Sequence, residues 1–383
     1  GQKRALMLML YYFAIPVGSG LGFIVGSTVE SLLGDWRWGI RATSILDAIC
    51  LVLLILFVHD RHSDVEENET MESRSSYSAD LKSLAKNATF MTSTFAYTAV
   101  IFVTGTLSWW IPTAMQHVQA MNHNLNSTQD LSADIKSSST FTFGLITMIS
   151  GFAGVATGSL LSHLLSSGRF CFSLCPTPRS DPIICAVGTA IGVPTFFAVV
   201  RLIPVNIVVA EVIMFFCITG LCFIWATNVN LYISVVSPNK CNSANGIQIL
   251  LSHVLGDGSG PYIVGAISDH IRGEEKTPSA HWNSLSMAFN VANALLIPAV
   301  ILFIIAALTY PRDRAAFLRS TNPSMVEIAD VKTAVETAGL ASSVKIVPVE
   351  MTPAPVKFSF PSEHTAMEPS RPHSQLEEVA KHE

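Results

Sequence analysis

Runs of about twenty apolar residues recur along this chain, separated by short polar stretches, and each is long enough to cross a bilayer as a helix. Eight such segments are predicted, at roughly 5–28, 38–58, 90–117, 139–166, 183–202, 205–236, 243–268 and 284–310. The longest stretch between them, residues 59–89, is rich in Ser, Glu and Asp and has no sustained apolar face, so it reads as a linker between two membrane bundles. After Tyr310 the pattern changes again. Residues 311–383 hold eight prolines and scattered charge, and this tail is expected to be disordered beyond about residue 320. The predicted fold class is therefore all-α and polytopic. Residues 1–58 form the end of one bundle, 59–89 a cytoplasmic linker, 90–310 a six-helix bundle and 311–383 a cytoplasmic tail.

Composition agrees with the pattern. Of 383 residues, 50% are apolar and 13% charged, against about 25% charged in an ordinary soluble protein. Mean hydropathy is +0.45. The net charge of −5 and the lack of a long basic run give no footprint for nucleic acid. Seven cysteines lie mostly inside apolar stretches or singly in loops, with no CxxC pair and no His/Cys spacing for zinc. No metal site and no cofactor site is expected. The chain begins Gly1-Gln2-Lys3-Arg4 without an initiator Met or a signal peptide, which reads as a fragment of a longer protein.

Sidedness follows from Lys and Arg near the helix ends. Twelve of them, including Lys3, Arg4, Lys82, Lys86, Lys240 and Arg312, fall on the side that carries both chain ends; six, including Arg37, Lys136 and Arg272, fall on the other. The first side is expected to be cytoplasmic. The sequon at Asn126 then lies outside or in the lumen and is a glycosylation candidate, while those at Asn68 and Asn87 should stay silent.

Within the membrane, ionisable groups carry the sharper signal, because each costs about 2.5–3.5 kcal/mol at the bilayer centre on insertion scales. His253 and Asp257 in the seventh helix are four residues apart and share a face, which sets a group that titrates near neutrality beside a carboxylate. The pair could carry a proton; it could also hold helices together. Gly256, Gly258, Gly260 and Pro261 just beyond predict a bend or break beside a pathway. Glu211 and Arg41 are further transport candidates, Glu211 as a cavity-facing or interfacial carboxylate and Arg41 as a group near the outer boundary that can snorkel. Asp47, six residues after Arg41, does not share its face. Thr104 is a candidate cavity residue, and Trp109 with Trp110 fits an aromatic belt. Gly18, Gly22 and Gly26 recur every four residues and predict a packing face on the first helix; Gly144, Gly151, Gly154 and Gly158 predict a second on the fourth.

Four blocks of residues resemble the Spinster-like lipid transporters of the major facilitator superfamily. They are Tyr12-Phe13-Ala14-Ile15-Pro16-Val17-Gly18-Ser19-Gly20-Leu21-Gly22, Trp36-Arg37-Trp38 through Arg41, Phe102-Val103-Thr104-Gly105, and Gln248-Ile249-Leu250-Leu251-Ser252-His253 through Gly256-Asp257 with Pro261-Tyr262. The last is the most specific. The resemblance implies twelve helices in two halves, with the eight seen here matching family helices five to twelve and helices one to four outside this chain. It also implies a lysolipid or sphingolipid-type substrate moved by alternating access, possible proton linkage, and residence in a lysosomal, late endosomal or plasma membrane. Asn230, a candidate gate residue, stands where the family often has Asp, and Lys240-Cys241 replaces an Arg-Arg pair. A transporter of another small solute, an intramembrane enzyme using the His and carboxylate, and a transport-inactive interaction protein remain alternatives; no GxSxG elbow or metal-ligand set supports the enzyme.

Overall fold

The computed structural model describes residues 2–57, 77–168 and 177–321. Among the described residues the regular structure is helical throughout: α1 Gln2–Tyr12, α2 Ala14–Leu33, α3 Arg37–Phe57, α4 Tyr77–Ala85, α5 Ala88–Asn122, α6 Ala133–Ser167, α7 Ser180–Leu202, α8 Ile207–Leu221, α9 Ile224–Ile233, α10 Cys241–Ser252, α11 Gly260–Arg272 and α12 Pro278–Thr321, with short 3₁₀ turns between some of them. Among the described residues, seven spans are long and apolar enough to cross a membrane, with α1 and α2 sharing one span and α8 and α9 another. The eighth predicted span, 243–268, is not one continuous helix. It is divided into α10 and α11 by a π-helical segment at His253–Asp257, where the glycine-rich sequence loosens the ladder.

Side-chain caps set several helix starts. Asn87 accepts from the Phe90 backbone N–H at 3.0 Å, and Asn206 accepts from Val209 N–H at 3.2 Å. Asn87 also donates to the Val235 carbonyl at 2.9 Å, which ties the start of α5 to the end of α9. The core of the bundle is the contact of α5 with α12. On α12, Ala288, Ala292, Ala299 and Ala306 are fully buried, as are Ala96, Val100 and Val103 on α5. Small residues at these positions let two long helices lie close, which in a bilayer replaces the hydrophobic drive that lipid cannot supply.

Two expected boundaries differ. Part of the linker, residues 77–85, forms α4, which buries Leu84 against the bundle and places Asp80 3.5 Å from Lys240. The rest of the linker, with Asn68, lies outside the described residues. The last helix runs on through Pro311 to Thr321, because Arg314 donates to the Ser234 carbonyl and Asp313 accepts from Thr89 N–H at 2.8 Å, anchoring its final turns. The tail beyond 321 lies outside the described residues.

The Gly18, Gly22 and Gly26 stripe predicted on the first helix is not the face that α2 turns to α6, although the Gly26 backbone lies against α3, where a Cβ added at Gly39 would fall 3.2 Å from the Gly26 carbonyl oxygen. A Cβ added at Gly18, Gly22 or Gly26 meets nothing within 4 Å, whereas one at Gly20 would lie 2.6 Å from the Gly144 carbonyl and from Met148 Cβ. Gly20 is two residues from Gly18 and Gly22, about 200° around the helix, so the contact uses the opposite side. Pro16, Gly20 and Ser27 are its buried residues. The α6 glycines do pack: Gly144 and Gly151 take α2 at Phe23 and Pro16, and Gly154 and Gly158 take the α8–α9 junction at Thr219 and Phe223.

Candidate functional site

A cavity of about 710 Å³ opens between α1–α2 on one side and α5, α6, the α8–α9 span and the α10–α11 break on the other. Aromatic side chains line much of it. Tyr11 and Tyr12 come from α1, Phe23 from α2, Tyr97 from α5, Phe143 from α6 and Trp225 from α9. Tyr97 and Trp225 meet edge to face with ring centroids 6.0 Å apart. Ser19, Thr104, Ser108, Thr147 and Ser252 add hydroxyls, and Thr104 bonds back to the Ile101 carbonyl at 3.1 Å, within its own helix.

The cavity wall carries one imidazole and one carboxylate, His253 and Asp257, both on the π segment. His253 Nδ1 sits 3.0 Å and 2.9 Å from the two Asp257 carboxylate oxygens. Their side chains are 63% and 39% exposed, so the pair faces the open cavity and is not sealed in the core. The segment owes its shape to glycine. The Gly258 N–H donates to the His253 carbonyl at 2.9 Å, an i→i+5 bond, and Gly256 leaves helical angles altogether at φ −98°, ψ −106°. Helix α5 presses directly on it: a Cβ on Gly105 would fall 2.5 Å from Asp257 Cβ, and one on Gly256 would fall 2.9 Å from an Ile101 side-chain carbon. Just past the break, Trp110 Nε1 donates to the Pro261 carbonyl at 2.9 Å. Trp110 therefore fastens α11 to α5, a role the aromatic-belt expectation did not contain; Trp109 is 68% exposed and borders the cavity.

The remaining sequence candidates lie elsewhere. Arg41 is exposed and places its guanidinium 4.7 Å from the Trp38 ring centroid. Glu211 is half-buried on α8 and is not part of the cavity wall. Asn230 donates to Asp181 at 2.6 Å, and the same carboxylate accepts from Ser162 at 2.5 Å, forming a polar cluster of α6, α7 and α9 away from the cavity. Asn126 is exposed in the connection between α5 and α6.

Sequence reasoning missed two buried polar groupings. One is that Asp181 carboxylate, 8% exposed in the first turn of α7. The other is a chain across three helices one turn from the aromatic floor, in which Asn228 donates to Gln248 at 3.1 Å and Gln248 donates to Thr94 at 3.2 Å. All three residues are at most 3% exposed. The signal available was an Asn inside an otherwise apolar segment, since a buried amide requires a partner.

The family model of the Major Facilitator Superfamily matches residues 1–261. The chain belongs to that superfamily. Within it the chain is Spinster-like. It is 40% identical over 271 residues to protein spinster of Drosophila melanogaster, covering 70% of this chain and 42% of that protein. It is 38% identical over 281 residues to protein spinster homolog 1 of Homo sapiens, covering 71% and 50%. It is 34% identical over 340 residues to the sphingosine-1-phosphate transporter SPNS2 of Mus musculus, covering 86% and 59%. This Spinster-like chain thus spans about half the length of the curated relatives it matches. A crystal structure of a bacterial homologue of the human lysosomal transporter Spinster, inward-facing and unoccupied, matches its fold with a TM-score of 0.54 at 14% identity, over 82% of this chain and 73% of that one. This superfamily chain is a multi-pass integral membrane protein, in keeping with its seven spans and broken eighth.

Proposed function

We propose that this protein serves secondary active transport of a lysophospholipid or sphingolipid-type substrate by alternating access, in a lysosomal, late endosomal or plasma membrane. The observation that carries the reading is the His253–Asp257 pair, set on the break of a spanning helix and open to an aromatic cavity. Tyr12, Tyr97, Phe143 and Trp225 offer apolar surface to an acyl or sphingoid chain, and the pair with Ser252 offers a polar end to a headgroup. Coupling to protons rests on the same pair, because an imidazole nitrogen and a carboxylate in hydrogen-bond contact can pass a proton between them. A relative whose name carries sphingosine-1-phosphate transport supports the substrate class.

The test is uptake of a panel of labelled lysolipids by the protein reconstituted in proteoliposomes, with and without a pH gradient and normalised to folded protein. Lysolipid uptake should be saturable and accelerated by the gradient. His253→Ala should flatten its pH dependence, because the titrating group is gone, and Asp257→Asn should alter that dependence by removing the negative charge beside the imidazole while keeping an acceptor oxygen. If both variants keep the parental pH profile, the pair is packing only. If no lysolipid moves at any pH, the substrate class is wrong.

A further inference from the structure

A second cluster of titratable groups lies at the far end of α11, at the edge of the bundle that also carries the Asn126 connection. There His117 of α5 and His281 of α12 stack with ring centroids 4.5 Å apart and planes within 7°. Arg272, in the last turn of α11, donates from Nη1 to His281 Nδ1 and from Nη2 to Asp269 at 2.7 Å. Two further nitrogens of the cluster, His117 Nδ1 and Arg272 Nε, are buried without a hydrogen-bond partner. Next to it Ser268 and Ser284 bond at 2.9 Å between α11 and α12, and Trp282 is 5% exposed. Three helices therefore meet through one guanidinium and two imidazoles.

The chemistry of this contact fixes its protonation. A guanidinium has only donors, so His281 Nδ1 accepts and carries no proton. A protonated His281 would turn a donor toward a donor and place like charge against Arg272. The groups facing the two rings from the packed elements are each other across α5 and α12, and Arg272 and Asp269 from α11. One carboxylate, itself 68% exposed, stands against what would become three cations. The loop acids Glu274 and Glu275 are exposed.

We propose that Arg272, His281 and His117 form a proton-operated latch that joins α11 to α12 and α5 when both imidazoles are neutral and releases α11 when they are protonated. Because the closed contact requires an unprotonated His281, every added proton favours the open one. Helix α11 carries the latch at Arg272 and adjoins the π segment at its other end, Gly260. Release thus frees one end of the element that follows Asp257, while Trp110 holds the other end.

The latch can be read without any transport assay. In hydrogen exchange on the full chain in lipid nanodiscs, corrected for intrinsic exchange rates, peptides over 110–123 and 268–286 should lose about tenfold protection between about pH 7.5 and about pH 4. Peptides over 140–165 in α6 should not. His281→Gln should keep protection at both values, because its amide oxygen accepts from Arg272 at every pH, and His281→Arg should be unprotected at both. His117→Phe keeps an uncharged stack and should show a smaller loss, so a poorly folding His281 variant still leaves a decision. Equal parental protection at both pH values, or His281→Gln and His117→Phe both following the parent, would overturn the latch.

Discussion

Gly105→Ala is the sharpest single perturbation of the site. The added methyl would sit 2.5 Å from Asp257 Cβ and 2.6 Å from its Cα, while ordinary contact begins at 3.4 Å. Either α5 or the π segment must therefore yield by about 0.9 Å, and the atoms in the way are backbone and Cβ, not the mobile end of a side chain. Overpacking of this kind costs about 1–3 kcal/mol. Where Asp257 yields by that distance away from His253, its carboxylate leaves hydrogen-bond range of the imidazole, which it now meets at 2.9–3.0 Å. Two readouts follow: a lower apparent melting temperature in detergent, and a loss of pH dependence in uptake by the protein that remains folded. Gly22→Ala is the reference, since its methyl meets nothing within 4 Å and alanine is the better helix former by about 1 kcal/mol. If Gly105→Ala melts as high as Gly22→Ala and keeps the parental pH profile, the crossing of α5 with the π segment does not hold the pair in place.

Asn126 should be the one sequon modified in a membrane glycosylation assay, because it is exposed in the connection between α5 and α6, whereas Asn87 has its side chain spent on the Phe90 and Val235 backbone; modification of Asn87 would invert the assigned sidedness. Gln248→Leu should destabilise the bundle by about 1–3 kcal/mol, since it leaves the buried amide of Asn228 without its acceptor, and an unchanged melting temperature would show that water or a rearranged partner fills that place.

The spans and the helical class were legible because a bilayer demands about twenty apolar residues wherever a helix crosses it, and that demand is local in the chain. His253 and Asp257 were legible for the same kind of reason: a four-residue spacing places them together in any helix, and the glycines after them mark a weak ladder. Contacts between helices were not. Gly18, Gly22 and Gly26 form the more regular stripe, yet α6 packs on Gly20, because which face of α2 meets α6 depends on where Gly144 and Met148 arrive. Trp110 looked interfacial until Pro261 came within reach, 151 positions along the chain. Arg41 and Glu211 stand apart from the cavity, and Asn230 is bound to Asp181, because the cost of a polar group in a membrane says that it must find a partner or water, not which one. The pairing of His117 with His281 and Arg272 joins three separate helices and carries no local pattern at all. Periodicity along one helix is thus a property of the sequence, while the partner each face meets is chosen by the packing of all the helices at once.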